Sequence, residues 1–161
     1  MSVLDVGAGA GKFCLAAALA MPSVQFVGAE WRPHLVRFAT RIAHESGQAN
    51  ARFVAVDALA LDWSRYDAFY FYNPFAEQLF DPKVALDRTI DLEAANFVRY
   101  VTAVRQRLAC ARLGTRVVTY HGLGAPLPPG YERTRADAIG TDRVELWIKT
   151  QASTGAAESG R

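Results

Sequence analysis

The chain has 161 residues, 51% of them hydrophobic, which suits one domain with a single packed core. A formal net charge of +2 gives no electrostatic argument for a nucleic-acid partner, and no apolar run reaches the ~18–20 residues of a membrane span. No signal peptide precedes the first predicted strand. The two cysteines, Cys14 and Cys110, lie in helical patterns with apolar neighbours, so buried free thiols and a cytoplasmic, reducing location are expected.

Residues 3–12 read VLDVGAGAGK: an apolar run around Asp5, then glycine at every second position, Gly7, Gly9 and Gly11. This predicts a buried strand turning sharply into a helix N-terminus. Glycine lets the loop take positive φ and approach a ligand closely, and the first N–H groups of the following helix have no partner within it. Such a loop is a nucleotide-type site. A P-loop would need glycine at position 6 and Ser or Thr at 13, where Val6 and Phe13 stand. A dinucleotide fingerprint fails at Lys12 when started from Gly7, and at Cys14 when started from Gly9.

Further along, 12–20 is an Ala/Leu-rich helix stopped by Met21, Pro22 and Ser23, and 25–29 (QFVGA) is a short buried strand. Residues 33–45 put Leu35, Phe38, Ala39, Ile42 and Ala43 on one helical face, with Pro33 suited to the first turn. A third strand follows at 52–56 (RFVAV) and a fourth, aromatic one at 68–72 (AFYFY). From about Asp91, the stripe Phe97, Val101, Val104, Leu108 and Ala111 predicts a long helix that Gly114 ends. A fifth strand spans 116–120. After a Gly/Pro loop at 122–130, the runs 131–138 and 144–149 read as a hairpin, which places an antiparallel strand on a parallel sheet. The small, polar residues 151–161 read as a disordered tail.

The D-x-G-x-G-x-G run from Asp5 to Gly11 resembles the first motif of class I S-adenosylmethionine-dependent methyltransferases, and the terminal hairpin resembles the end of their sheet. The resemblance spans 3–149. It implies an α/β fold: a Rossmann-like three-layer αβα sandwich with a mostly parallel seven-stranded sheet ending in an antiparallel hairpin, as one methyltransferase domain over 1–150. In that family one or more helices precede the first strand. With that helix apparently missing, a lost N-terminus and an uncovered apolar patch on one sheet face are expected.

The resemblance also implies a site at the carboxyl ends of the strands. Asp5, Gly7, Ala8, Gly9 and Gly11 would hold the methionine end of S-adenosylmethionine. Glu30, closing the second strand, would take both ribose hydroxyls, with Trp31 beside the ribose or adenine. Asp57, closing the third, would accept the adenine amino group, while Ala58 and Leu59 pack on the ring. Each acid has a plainer reading: Glu30 an exposed acid near a helix start, Asp57 a turn or cap residue.

The fourth strand runs into Asn73-Pro74-Phe75, similar to the [DNS]-P-P-[FY] motif of amine methyltransferases with the second proline missing; similar loops occur in Dot1-like protein lysine methyltransferases. These three residues would form the catalytic loop, or simply an Asn-Pro turn. Among the aromatics around them, residues 69 and 71 should face one way and 70 and 72 the other, most of them in the core. Phe75 would touch substrate, and Trp63 would pack. His34, His44 and His121 share no ligand spacing with one another or with the cysteines, so no metal is expected. His121, following the fifth strand, reads as a general base or as loop packing.

The expected function is methyl transfer from S-adenosylmethionine to an unidentified N or O nucleophile, on a small molecule or a protein. The alternatives are a non-catalytic cofactor-binding protein or an aminopropyltransferase of the same fold, which usually carries an acid where Asn73 stands. A nicotinamide dehydrogenase fits least, given Lys12 and the terminal hairpin.

Overall fold

The computed structural model describes residues 1–73 and 94–152; Pro74, Phe75, Phe80 and most of the expected tail, 153–161, lie outside the described residues. Strand β1 (Ser2–Val6) is the hub of the sheet. It pairs in parallel with β2 (Gln25–Glu30) on one side and with β4 (Ala68–Tyr72) on the other. β3 (Ala51–Ala55) extends the sheet beyond β2, and β5 (Arg116–Tyr120) beyond β4. The hairpin of β6 (Tyr131–Ile139) and β7 (Asp142–Lys149) completes seven strands in the order β3-β2-β1-β4-β5-β7-β6, with β7 inserted antiparallel beside β5.

Period-2 alternation divides the core between two layers. Val3, Phe26, Phe53 and Ala68 pack under α1 (Lys12–Ala20) and α2 (Pro33–Glu45). Leu4, Val6, Val27, Phe69, Phe71 and Val117 face the opposite way, under Val104 and Leu108 of α3 (Ala94–Ala109). This is the expected three-layer sandwich. Trp63 and Tyr66 close the second layer, and Trp63 stacks on Phe69 with ring centroids 4.6 Å apart. Buried Lys149 of β7 donates from Nζ to the Leu108 carbonyl at 3.1 Å and also to that of Ala109, placing a cation at the C-terminal end of α3, where the helix dipole favours it.

Three expectations need correction, on the third strand, Cys110 and Phe38. The third strand starts and ends one residue early, and short 3-10 turns at Ala58–Ala60 and Trp63–Arg65, each opened by an aspartate cap, fill the connection to β4. Cys110 is exposed: it lies in the turn just past the end of α3, two residues after buried Leu108. Phe38 is 44% exposed: the buried stripe of α2 is the narrower set Val36, Ala39 and Ala43, whose small alanines bring the helix close to the sheet. Tyr72 is 53% exposed. It shares a face with Tyr70, which stacks on Phe13 of α1 at 3.7 Å, but it lies two residues nearer the sheet edge. On that same face Val118, Tyr120, Val144, Leu146 and Ile148 are half-buried.

Candidate functional site

The glycine loop joins the carboxyl end of β1 to the start of α1, and all three of its glycines are left-handed, at φ 80, 55 and 79 for Gly7, Gly9 and Gly11. Two different demands explain them. A Cβ on Gly11 would sit 2.6 Å from the Phe53 ring and 2.8 Å from Ala39 Cβ, so this glycine lets the loop lie on the layer between α2 and β3. A Cβ on Gly9 would meet nothing within 4 Å, so this glycine bends the backbone while leaving its outer side clear. The ladder continues into the loop, since the Gly7 and Ala8 N–H groups both donate to the Ala29 carbonyl at 3.0 Å.

Glu30 is 5% exposed, so it is not the surface acid of the plainer reading. Its Oε2 accepts from the Gly9 N–H at 2.9 Å, and its Oε1 accepts from the Arg32 backbone N–H at 2.9 Å and from Arg32 Nη1 at 3.4 Å. The carboxylate therefore pins the tip of the glycine loop to the end of β2. Its two oxygens offer about four acceptor positions, so these three bonds leave about one, on Oε2, for a ligand hydroxyl. Arg32, which shares the Glu30 carboxylate, joins the candidate site without having been singled out in the sequence; its place two residues after the acid was the available signal.

Asp5 is 3% exposed, on the α1 face of β1, where Cys14 Sγ–H donates to its Oδ2 at 3.5 Å. Burial pushes the Asp5 carboxyl up to about 7; the Cys14 hydrogen bond opposes this and the nearby Glu30 charge adds to it. The same burial, with Asp5 beside it, pushes the Cys14 thiol up, so Cys14 is an inert core thiol.

Asp57 does cap: its Oδ1 accepts from the Leu59 N–H at 2.9 Å and opens the Ala58–Ala60 turn. Its Oδ2 accepts from Tyr100 Oη of α3 at 3.4 Å, a partner no local pattern announces. Ala58 and Leu59 are half-buried against the layer under α3, and Trp63 Nε1 donates to the Ala58 carbonyl at 2.8 Å. The Val56 N–H donates to the Glu30 carbonyl at 3.0 Å, so the two acids lie at adjoining strand ends. Trp31, next to Glu30, is 56% exposed, and exposed Asn73 leaves β4 with φ 45. His121 leaves β5 with φ 65, and its Nδ1 lies 2.9 Å from Asp142 Oδ1. No cluster of His, Cys, Asp or Glu able to hold a metal occurs among the described residues.

A positive-φ glycine loop after β1 and a buried acid closing β2 meet on a sheet with a reversed terminal hairpin. The family described as "Methyltransferase domain" matches residues 1–107. The chain belongs to that family. It is a class I S-adenosylmethionine-dependent methyltransferase.

No curated protein matches the methyltransferase in sequence. Among solved structures it resembles an RNA methyltransferase from Salinibacter ruber in complex with S-adenosyl-L-homocysteine, at 22% identity over 98% of this chain and 84% of that one, with a TM-score of 0.66. It also resembles TrmN from Thermus thermophilus, at 25% identity and a TM-score of 0.67, over 92% of this chain and 44% of that one. The methyltransferase thus spans less than half the length of TrmN. No described helix is long and apolar enough to cross a membrane.

Proposed function

We propose that S-adenosylmethionine lies across the carboxyl ends of β1, β2 and β3, and that the acceptor enters over β4. The observation that carries this reading is the buried Glu30 carboxylate bonded to the N–H of Gly9, whose outer side is clear. That pairing holds a carboxylate with a spare acceptor position beside an open stretch of backbone, a combination suited to a nucleoside hydroxyl. Glu30 would take the ribose, with Trp31 at its side. Asp57, Ala58 and Leu59 would take the adenine, and Asp5 with Gly7, Ala8, Gly9 and Gly11 the methionine end.

The bound cofactor supplies a sulfonium methyl that is already activated, so the protein's task is mainly positioning. Asn73, with Pro74 and Phe75, would orient the nucleophile in line with the carbon–sulfur bond. The acceptor would be an N or O nucleophile on a small molecule or a protein, and a cytoplasmic location fits the free thiols.

Isothermal titration with S-adenosyl-L-homocysteine tests the pocket. Glu30→Ala and Asp57→Ala should each weaken binding by about 1–3 kcal/mol, the range for leaving polar groups unpaired. Unchanged affinity in both variants would sink the assignment. Asn73→Ala should leave that affinity intact and lower methyl transfer; parallel loss of both would remove its proposed role.

A further inference from the structure

We propose that His121, held by Asp142, is the base that accepts the proton of the methyl acceptor. The inference rests on the proposed acceptor position over β4 and extends it one strand further.

β4 and β5 run in parallel with Tyr72 opposite Tyr120, so the next residues, Asn73 and His121, leave the sheet side by side. Both do so in the left-handed region, at φ 45 and 65, and these are the only positive-φ residues other than glycine among the described residues. Holding a non-glycine residue there costs on the order of 1 kcal/mol, and such strain gathers where function dictates a side chain's direction. Here it turns two polar side chains out at one edge, next to the strand ends that carry Glu30 and the glycine loop.

His121 has what a general base needs. Asp142 opens β7, and the antiparallel pairing of β7 with β5 brings its Oδ1 to 2.9 Å from His121 Nδ1. A carboxylate facing Nδ1 favours the neutral tautomer with its proton on Nδ1, the form in which Nε2 keeps its lone pair. The ring is fixed on both sides: Tyr120 stacks on it at 4.5 Å and Tyr72 meets it edge-on at 5.3 Å. The imidazole and carboxylate are 31% and 33% exposed, within reach of a ligand. Among the described residues, the titratable and charged groups around the ring are Asp142, Arg143 and Glu145 from β7, Tyr72 from β4 and Tyr120 from β5, with Glu145 paired to Arg133 and Arg143. Simple loop packing would use the Tyr120 stack but has no need of the carboxylate.

The acceptor class follows from the chemistry: a group with a proton to lose, either a hydroxyl or an amine that is protonated at neutral pH. The acceptor's electron pair forms the bond to the methyl carbon, and the carbon–sulfur pair returns to sulfur, leaving a neutral thioether. The acceptor's proton passes to His121 Nε2. Asp142 stabilises the imidazolium until solvent removes that proton.

Transfer of labelled methyl from S-adenosylmethionine to components of a cell lysate, measured across pH 6–9, tests this. His121→Asn should lower the rate about 10²–10⁴-fold, the usual contribution of a general base, and abolish the acid limb of the pH profile. Asp142→Asn should lower it less, and affinity for S-adenosyl-L-homocysteine should be unchanged in both. Equal rates and profiles in His121→Asn and the unaltered protein would overturn the proposal while leaving the methyltransferase site standing. If the unaltered protein transfers no label, the proposed acceptor site falls with it. Ring nitrogen NMR of the complex with S-adenosyl-L-homocysteine is independent of any acceptor: a proton on Nδ1 that Asp142→Asn disturbs supports the dyad, and a proton on Nε2 in the unaltered protein overturns it.

Discussion

β2 and β6 are the two extremes of one sheet. In β2 only Gln25 is exposed and the other five residues are buried; in β6 only Tyr131 is even half-buried. The first strand lies between β1 and β3 under α1 and α2, where Gly11 and Gly28 let Phe53 press directly on the backbone. The second is the sheet's edge, held to β7 by its ladder, by the Arg133–Glu145 ion pair at 2.7 Å and by Arg133 over the Trp147 ring at 5.6 Å. The contrast separates two tasks. The half around β2, where the cofactor is proposed to lie, is set by close packing, which holds a backbone cradle in place. The half around β6 is more open, set by hydrogen bonds and charge.

The sharpest way to break this comparison is to make one substitution in both halves. Gly11→Ala should cost about 2–5 kcal/mol, combining about 1–3 for overpacking against Phe53 and Ala39 with about 1–2 for the left-handed backbone. Gly140→Ala, at φ 63 with nothing within 4 Å, should carry only the second part, about 1–2 kcal/mol. Urea denaturation reads both, and equal losses would erase the distinction between the halves.

Next in size is the buried acid of the β2 half. Folding raises the Asp5 carboxyl from 3.8 to about 7, so the folded protein binds this proton more tightly than the unfolded chain does. The resulting stability is complete below about 3.8 and is lost as pH rises through about 7. Asp5→Asn, which keeps an acceptor for the Cys14 thiol, should therefore exceed the wild type by on the order of 4 kcal/mol at pH 8, falling to about 1 kcal/mol at pH 4.5. A constant difference across that range would remove burial as the cause.

The smallest effect is expected at the hairpin. Arg133→Ala breaks a pair whose arginine side chain is 46% exposed, and should cost no more than about 1 kcal/mol, shrinking further in 0.5 M salt. A loss comparable to that at Gly11 would show the edge to be as tightly determined as the centre.

Much of this protein can be read along the chain. The glycine spacing, the apolar stripe of α3, the alternation of Phe69 and Phe71 against Tyr70 and Tyr72, and the reversed terminal hairpin each express a local period, because backbone preference and transfer from water act residue by residue. Width and depth were less legible. The stripe of α2 proved narrower than its apolar residues suggest, leaving Phe38 outside, and Cys110 came to lie exposed just past the end of α3. The first depends on how near the helix settles to the sheet, the second on where the helix stops.

By itself, then, the sequence determined the elements, the loop that bends between β1 and α1, and the acids that close successive strands. What the side chains at the strand ends touch was decided by the tertiary fold: Glu30 the N–H of Gly9, Asp57 the hydroxyl of Tyr100, His121 the carboxylate of Asp142. The partners lie 21, 43 and 21 residues apart, and no local rule reaches that far. Strand order, register and helix docking bring them together, and those are chosen by the packing of the whole core at once.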